Sequence, residues 1–151
     1  MNDFKTYYNM DSSGIRYKGD LKLTNKALES LNGCYSYIQG GFDCGDNALK
    51  NLIGGPETVS EYYGCYHNYG MESLEGGPKF VGGRFNCSQN PQMKNQVEQI
   101  FKYQIKADYY ITDEGQFDFK TIKEKFEAYP KMKAVKSKGF RTLLGLDKND
   151  I

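Results

Sequence analysis

The stretch GGPKFVGGRFNCSQN, residues 76–90, has two looser copies earlier in the chain. These are GGPETVSEYYGCYHN at residues 54–68 and GCYSYIQGGFDCGDN at residues 33–47. A fixed period of this size is typical of a solenoid, in which each repeat stacks on its neighbours. The copies share an aromatic, a cysteine and an asparagine slot, separated by steps of 21 and then 22 residues: Phe42, Tyr63 and Phe85; Cys44, Cys65 and Cys87; Asn47, Asn68 and Asn90.

A fourth, degenerate copy precedes these three in GDLKLTNKALESL, residues 19–31, with Leu21 and Leu23 in its aromatic and cysteine slots. Gln92 takes a leucine slot after the last copy, so we expect the array to stop there. The sequence therefore predicts a β-solenoid of about three and a half coils over residues 19–92. In each coil two further apolar residues return to the interior: Leu28 and Leu31, Leu49 and Leu52, Met71 and Leu74.

The residue types of one repeat predict its local structure. Phe42 and Cys44 alternate with a polar residue, which is the pattern of a short strand with one buried face. Asn47 is suited to turn the chain and to bond backbone groups that a short strand leaves unpaired, so stacked asparagines would form a ladder. Residues 54–56, Gly-Gly-Pro, bend the chain on the opposite side. The stacked cysteines are interpreted as small apolar side chains in a reducing compartment, not as disulfides or metal ligands.

The order F-x-C-x-x-N-x-L-x-x-L at residues 42–52 resembles the leucine-rich-repeat consensus, with an aromatic residue and Cys replacing its first two leucines. SLEGGPKFVGGRFNCSQNP, residues 73–91, resembles more narrowly the short repeats of leucine-rich-repeat-like proteins from tailed phages and some bacteria. This resemblance implies a binding scaffold without a shared catalytic residue. It also implies a phage-encoded protein that binds and inhibits or redirects a host protein, such as a defence or regulatory factor.

The flanking segments are predicted to cap the solenoid, because its terminal coils would otherwise expose apolar surface. Residues 1–18 are turn-rich and suited to lay a hairpin or strand over the first coil as an N-terminal cap. Residues 93–151 are expected to form a helical C-terminal cap packed on the solenoid. The predicted fold class is therefore α+β, a short leucine-rich-repeat-like β-solenoid with a helical cap.

Within the C-terminal cap, apolar residues at helical spacing predict a helix over residues 91–106, with Asn90 as its N-cap. A short extended piece is expected at residues 109–111. Asp118 is then expected to cap a second helix that ends near Pro130.

Composition limits the function classes. The chain has 151 residues, and 20 Lys and Arg balance 19 Asp and Glu, so no overall charge attracts it to nucleic acid or to an anionic membrane. No apolar run is long enough to span a bilayer, and the first residues lack the basic start and apolar segment of a signal peptide. We expect a cytoplasmic protein that needs no metal or other cofactor.

The candidate binding surface is the row of side chains that alternate with the buried strand positions, together with their neighbours: Lys22, Thr24, Asp43, Asp46, Tyr62, Tyr66, His67, Arg84, Asn86, Ser88 and Gln89. In leucine-rich-repeat-like coils this side often contacts ligands. Tyr and Arg are common anchors, because each combines apolar area with a directed hydrogen bond or charge. The alternative is that the tyrosines merely cover an irregular core. We assign binding of a protein partner to Asp43, Asp46, Tyr62, Tyr66, His67, Arg84, Asn86 and Gln89.

Three other functions are weighed against protein binding. Asp46, His67 and Ser88 occupy neighbouring repeat positions as an acid, a base and a nucleophile, but no oxyanion loop or nucleophile-elbow motif accompanies them, so we predict no enzymatic activity. A virion component or a self-assembling homo-oligomer would use the edge strands that a short solenoid exposes. A nucleic-acid-associated inhibitor would use a basic segment that otherwise reads as a solvated linker: Lys131, Lys133, Lys136, Lys138 and Arg141.

Overall fold

The computed structural model describes residues 1–128, apart from the side chains of residues 126 and 128. It is a parallel β-solenoid of about four turns with few helices, one of them at the C-terminal side of the solenoid. The fold class expected from the repeats is therefore confirmed. The prediction that the second helix ends near Pro130 lies outside the described residues.

Each of the first three turns contributes two very short strands and the fourth contributes one strand of seven residues. These strands stack into two parallel ladders of one sheet. The first ladder contains β1 (Arg16–Lys18), β3 (Tyr37–Gln39), β5 (Thr58–Val59) and the start of β7 (Phe80–Asn86). The second ladder contains β2 (Leu21–Lys22), β4 (Phe42–Asp43), β6 (Tyr63–Gly64) and the end of β7. Only the second ladder was predicted from the repeats.

The register of the second ladder confirms the alignment of the repeats. Leu21 pairs with Phe42, Phe42 with Tyr63, and Tyr63 with Phe85. The aromatic rings of Phe42, Tyr63 and Phe85 pack against one another in tilted contacts, with neighbouring centroids 5.0 and 5.4 Å apart. All three side chains are fully buried. The cysteine slot forms a second buried row of free thiols, and the leucine slots complete the core. Burial raises the pKa of each of these thiols: Cys44, Cys65 and Cys87.

The predicted asparagine ladder is present and connects the turns through backbone groups. Asn68 Oδ1 accepts a hydrogen bond from Leu49 N at 3.1 Å, and Asn90 Oδ1 accepts one from Asn68 N at 2.7 Å. The Nδ2 group of Asn68 donates to carbonyls of its own turn and of the preceding one, at Cys65 and Cys44. Buried backbone groups that the two-residue strands leave unpaired are thereby satisfied.

The Gly-Gly-Pro segments form the turn on the opposite side of each coil. Gly54 and Gly76 have φ values of 91° and 81°, in the region that favours glycine. A β-carbon on either residue would lie within 2.8 Å of the backbone of the preceding coil. The turns therefore need glycine for both conformation and space.

Short elements flank the repeats at both ends. The expectation that a hairpin or strand covers the first coil is wrong, because helix α1 (Phe4–Tyr8) covers part of the first turn instead. Its N-cap Asp3 accepts a bond from Thr6 N at 2.7 Å. After the last repeat come α2 (Gln96–Lys102), β8 (Lys106–Thr112), β9 (Gly115–Asp118) and α3 (Phe119–Ala128). Strand β8 pairs with β7 in parallel and β9 pairs with β8 antiparallel. The sheet thus runs from residue 16 to residue 118, on both sides of the range 19–92 expected for the solenoid.

The prediction of a helix over residues 91–106 is wrong at both ends. Asn90 is fully buried and belongs to the asparagine ladder, so it is not a helix cap, and the helix begins only after Asn95. At the other end the chain re-enters the sheet at Lys106. Two other expectations are confirmed. The extended piece at residues 109–111 lies within β8, and Asp118 Oδ1 caps α3 by accepting a bond from Thr121 N at 2.7 Å.

Candidate functional site

A cleft with a volume of about 330 Å³ lies on the outer side of the sheet and spans three successive turns. Asp20 and Lys22 come from the first turn and Asp43 comes from strand β4 of the second turn. Glu61 and Tyr62 come from the third turn. Two residues of the predicted binding row, Asp43 and Tyr62, are therefore brought together here. The cleft is lined by Asp20, Leu21, Lys22, Gly41, Phe42, Asp43, Glu61 and Tyr62.

Negative charge dominates the cleft, because three carboxylates face one ammonium group. Asp20 Oδ1 accepts a hydrogen bond from Gly41 N at 2.8 Å, which holds this carboxylate against the backbone of the second turn. Among the described residues, none of the three carboxylates has a cation within ion-pairing distance. The site therefore presents carboxylates that form no ion pair with a described side chain: Asp20, Asp43 and Glu61.

Tyr62 forms an aromatic wall of the cleft. Its burial, and then the negative charge of Asp43, raise the pKa of the Tyr62 hydroxyl to about 12. The guanidinium carbon of Arg84 lies 5.7 Å from the centroid of the Tyr62 ring, within the range of a cation–π contact. One cation of the chain itself, Arg84, therefore already lies over the ring of Tyr62.

Tyr66 and Asp43 connect two turns beside the cleft. Tyr66 Oη donates a hydrogen bond to Asp43 Oδ2 at 2.8 Å, while Asp43 Oδ1 accepts one from Gly45 N at 3.0 Å. The ring of Tyr66 lies directly over Gly45, where a β-carbon would approach it to 2.5 Å. Burial and the bond to Asp43 raise the pKa of the Tyr66 hydroxyl. Asp43 is therefore held in one position at the edge of the cleft.

A second cluster lies further along the same turns. His67 Nδ1 donates to Asp46 Oδ1 at 2.9 Å, and the imidazole stacks on the Tyr69 ring with centroids 5.8 Å apart. The acid and base of the hypothetical triad are thus in contact. Ser88 Oγ, the remaining member, donates instead to Asn86 Oδ1 at 2.6 Å.

Two residues of the predicted binding row have contacts that stabilise the fold, and one of them, Asn86, also bonds to the Tyr62 side chain beside the cleft. Asn86 Oδ1 also accepts a bond from Ser88 N at 3.0 Å, so it stabilises the turn that follows β7. Gln89 N donates to Asp113 Oδ1 at 2.7 Å, which joins the last repeat to the β8–β9 hairpin. The basic segment from Lys131 to Arg141 lies outside the described residues.

Asp20, Glu61 and Tyr69 were not predicted from the sequence. The two acids lie in the breaks between the first and second strands of a turn, and the first strands were not predicted. Tyr69 is 65% exposed and lies beyond the asparagine slot, where the second copy has one inserted residue. That insertion was visible in the sequence and is the signal that could have identified this residue.

Comparison with protein-family models, with curated proteins and with solved structures finds no match to this chain. The family suggested by the repeat therefore stays a prediction. In the described part of the chain, no helix has both the length and the apolar character needed to cross a bilayer. Nor do residues 1–128 contain three His, Cys, Asp or Glu side chains placed to hold a metal ion.

Proposed function

We propose that the protein is a non-enzymatic protein-binding module, and that its sheet cleft receives a cationic side chain of a partner protein. The observation that carries this proposal is the cleft itself, where three turns place unneutralised carboxylates around an aromatic wall. Concave sites with a few convergent polar groups are the usual places for ligands.

The chemistry of the cleft favours a guanidinium or ammonium group. A hydrogen bond between charged partners contributes roughly 1.5–3 kcal/mol, and an aromatic face adds about 0.5–2 kcal/mol for a cation. Asp43 is pre-positioned by its bonds to Tyr66 and Gly45, so little side-chain entropy is lost when a partner binds. The approach of a basic surface would also be accelerated by the local negative potential.

The arrangement of the possible triad supports a non-enzymatic interpretation. A nucleophilic serine has to donate its proton to the base, whereas Ser88 donates to Asn86. The contact between Asp46 and His67 then serves as part of the binding surface, together with the exposed ring of Tyr69. Four free, buried cysteines support a cytoplasmic location, because the cytoplasm keeps thiols reduced.

We further propose that the protein is phage-encoded and that its partner is a host protein, which it inhibits or redirects. The support for this step is the resemblance of the repeats to the short repeats of phage and bacterial proteins. It defines where to search for the partner, which is the lysate of a bacterial host.

The test is an affinity capture from that lysate, with and without nuclease and at two salt concentrations, read by mass spectrometry. Wild-type protein is compared with the double variant Asp43→Asn/Glu61→Gln, which removes two cleft charges but keeps the shapes of the side chains. The matched control is Glu72→Gln/Glu75→Gln, because both acids are exposed and neither lines the cleft.

We expect wild-type protein to recover one partner protein in stoichiometric amount, with or without nuclease. The cleft variant should recover about tenfold less of this partner, whereas the control variant should recover as much as the wild type. Equal recovery by both variants would place the binding site elsewhere. Recovery of nucleic acid, or of proteins that nuclease removes, would overturn the protein-binding proposal.

A further inference from the structure

The first turn of the solenoid has an open backbone edge. Gly19 N, Leu21 N and Leu23 N donate to the second turn at 2.9, 2.9 and 2.7 Å. Because alternate residues of a strand bond to opposite sides, the intervening residues direct their N–H and C=O groups away from the solenoid. Among residues 1–128, no backbone group pairs with the outward groups of the residues from Arg16 to Lys22.

The N-terminal segment covers only the other half of this turn. Phe4 N donates to Ser30 O at 3.2 Å and Lys5 N donates to Asn32 O at 2.9 Å, while the Phe4 side chain is buried. The cap thus closes the first turn near its two leucine slots and leaves the sheet edge open. An uncovered edge is a ready template for another strand.

The side chains along the edge define which strand would fit. Arg16, Lys18 and Lys22 are exposed on the outer face, with Asp20 as the single acid among them. On the inner face Tyr17 and Leu21 are only partly buried, and both pack against the core. The strand that fits this edge best therefore has acidic side chains on its outer face, beside the three cations. On its inner face it has apolar side chains, beside Tyr17 and Leu21.

We propose that the edge from Arg16 to Lys22 accepts, by β-strand addition, an extended segment of a partner protein in which acidic and apolar residues alternate. Opposite charges directly across two strands attract each other, and the backbone bonds supply affinity that does not depend on sequence. This edge shares Asp20, Leu21 and Lys22 with the cleft. It differs in using outward backbone groups and cations, whereas the acidic lining of the cleft favours a basic group.

Cations on an edge strand can also serve to prevent strand pairing. A protective edge and a receptor edge respond differently to an acidic peptide. A protective edge repels every added strand, whereas a receptor edge binds an acidic strand and rejects a basic one.

The experiment is a fluorescence-anisotropy titration of the full chain with a labelled short peptide of alternating Glu and Val. Two further peptides carry N-methyl groups, one on the Glu amides and the other on the Val amides. We expect saturable binding of the parent peptide, retained in one methylated form and lost in the other, because only alternate amides face the edge. A peptide of alternating Lys and Val should not bind.

Protein variants place the binding on the edge. The double variant Arg16→Glu/Lys18→Glu should weaken binding by about tenfold, whereas Lys50→Glu/Lys79→Glu, with the same change of charge on exposed residues elsewhere, should not. Circular dichroism checks that both variants fold. The cleft variant Asp43→Asn/Glu61→Gln should keep peptide binding, so failure of this proposal is distinguishable from failure of the proposed function.

Absence of binding, an equal loss with both charge variants, or equal behaviour of the two methylated peptides would overturn the proposal. Concentration-dependent self-association that Arg16→Glu/Lys18→Glu abolishes, without peptide binding, would also overturn it and would assign the edge to a second copy of this chain.

Discussion

Two adjacent rows of the solenoid behave in opposite ways, although they are next to each other in sequence. The inner row is asparagine in three turns, and its members bond backbone groups across the turns. The row immediately before it has the same left-handed backbone in every turn, with φ between 54° and 59°, but a different side chain in each: Asn25, Asp46, His67 and Gln89.

The difference separates the requirements of the fold from the freedom available to function. At the inner row, both the oxygen and the NH₂ group of the amide are needed, so the residue type is fixed by chemistry. At the outer row only the backbone conformation is required, and the side chain is free to serve binding. The repeats of this protein can therefore be compared with one another: residues that recur indicate structure, and residues that change indicate surface positions that are free to serve binding.

The largest expected effect is the loss of an inner asparagine. Asn68→Ala would leave Leu49 N unbonded and deprive buried carbonyls of their donor, so we expect the free energy of unfolding to fall by about 3 kcal/mol. Urea unfolding measures this change. Asn51→Ala is the control, because Asn51 is half-buried and accepts one local bond from Ile53 N; it should cost less than about 1 kcal/mol. Equal losses would contradict the distinction between the rows.

The buried thiols predict a loss of stability in alkaline solution. Burial raises the pKa of Cys65, so above about pH 8.5 the unfolded chain releases a proton that the folded chain retains. The stabilisation is complete below that pH and falls by about 1.4 kcal/mol per pH unit above it, until the raised pKa is reached. Urea unfolding in reductant between pH 7 and pH 10 should therefore give a shallower decline for Cys65→Ala than for the wild type. Parallel declines would show that this thiol is not buried.

The aromatic slot provides a smaller test. Tyr63 is fully buried, and its hydroxyl has no hydrogen-bond partner among the described residues, whereas Phe fills the slot in the neighbouring turns. Tyr63→Phe should therefore stabilise the protein by about 1 kcal/mol, because an unsatisfied polar group is removed from the core. A thermal melt measures the change, and Tyr110→Phe is the control. The Tyr110 hydroxyl donates to Ile105 O at 2.8 Å, so removing it should destabilise the chain.

Substitution in the outer row, at Gln89, should change the stability of the fold least. Gln89 is exposed at φ 59°, so Gln89→Gly relieves the steric cost of a β-carbon in a left-handed conformation and should stabilise the fold by about 0.5 kcal/mol. Gln89→Ala keeps the β-carbon and should bring no such gain. A fall in the free energy of unfolding for either variant would mean that the side chain of Gln89 contributes to the fold.

The periodic part of the fold could be predicted from the sequence, because strong side-chain requirements recur at a fixed spacing. The register of Phe42, Tyr63 and Phe85 follows from that spacing, as does the asparagine ladder. The first strand of each turn was missed for a physical reason: it buries a single apolar residue, such as Ile38 or Val59, and therefore shows no alternation.

The same limit explains which parts of the site were found. Asp43 and Tyr62 flank the aromatic slot, so the repeat itself placed them on the outer side. Asp20 and Glu61 lie in the breaks between strands, where the turns differ in sequence, and only the folded chain brings them into the cleft. The start of α2 was misplaced because Asn90 was assigned both to the asparagine slot and to a helix cap, whereas its side chain is fully used by the ladder.

The most direct test of the central claim is a ¹H–¹⁵N correlation spectrum of the labelled protein, titrated with a short peptide that contains one arginine. We expect saturable shifts at residues 20–22, 41–43 and 61–62, with the signals of the asparagine ladder unchanged. Shifts spread evenly over the acidic surface, or centred on Glu72 and Glu75, would contradict the assignment of the cleft as the binding site.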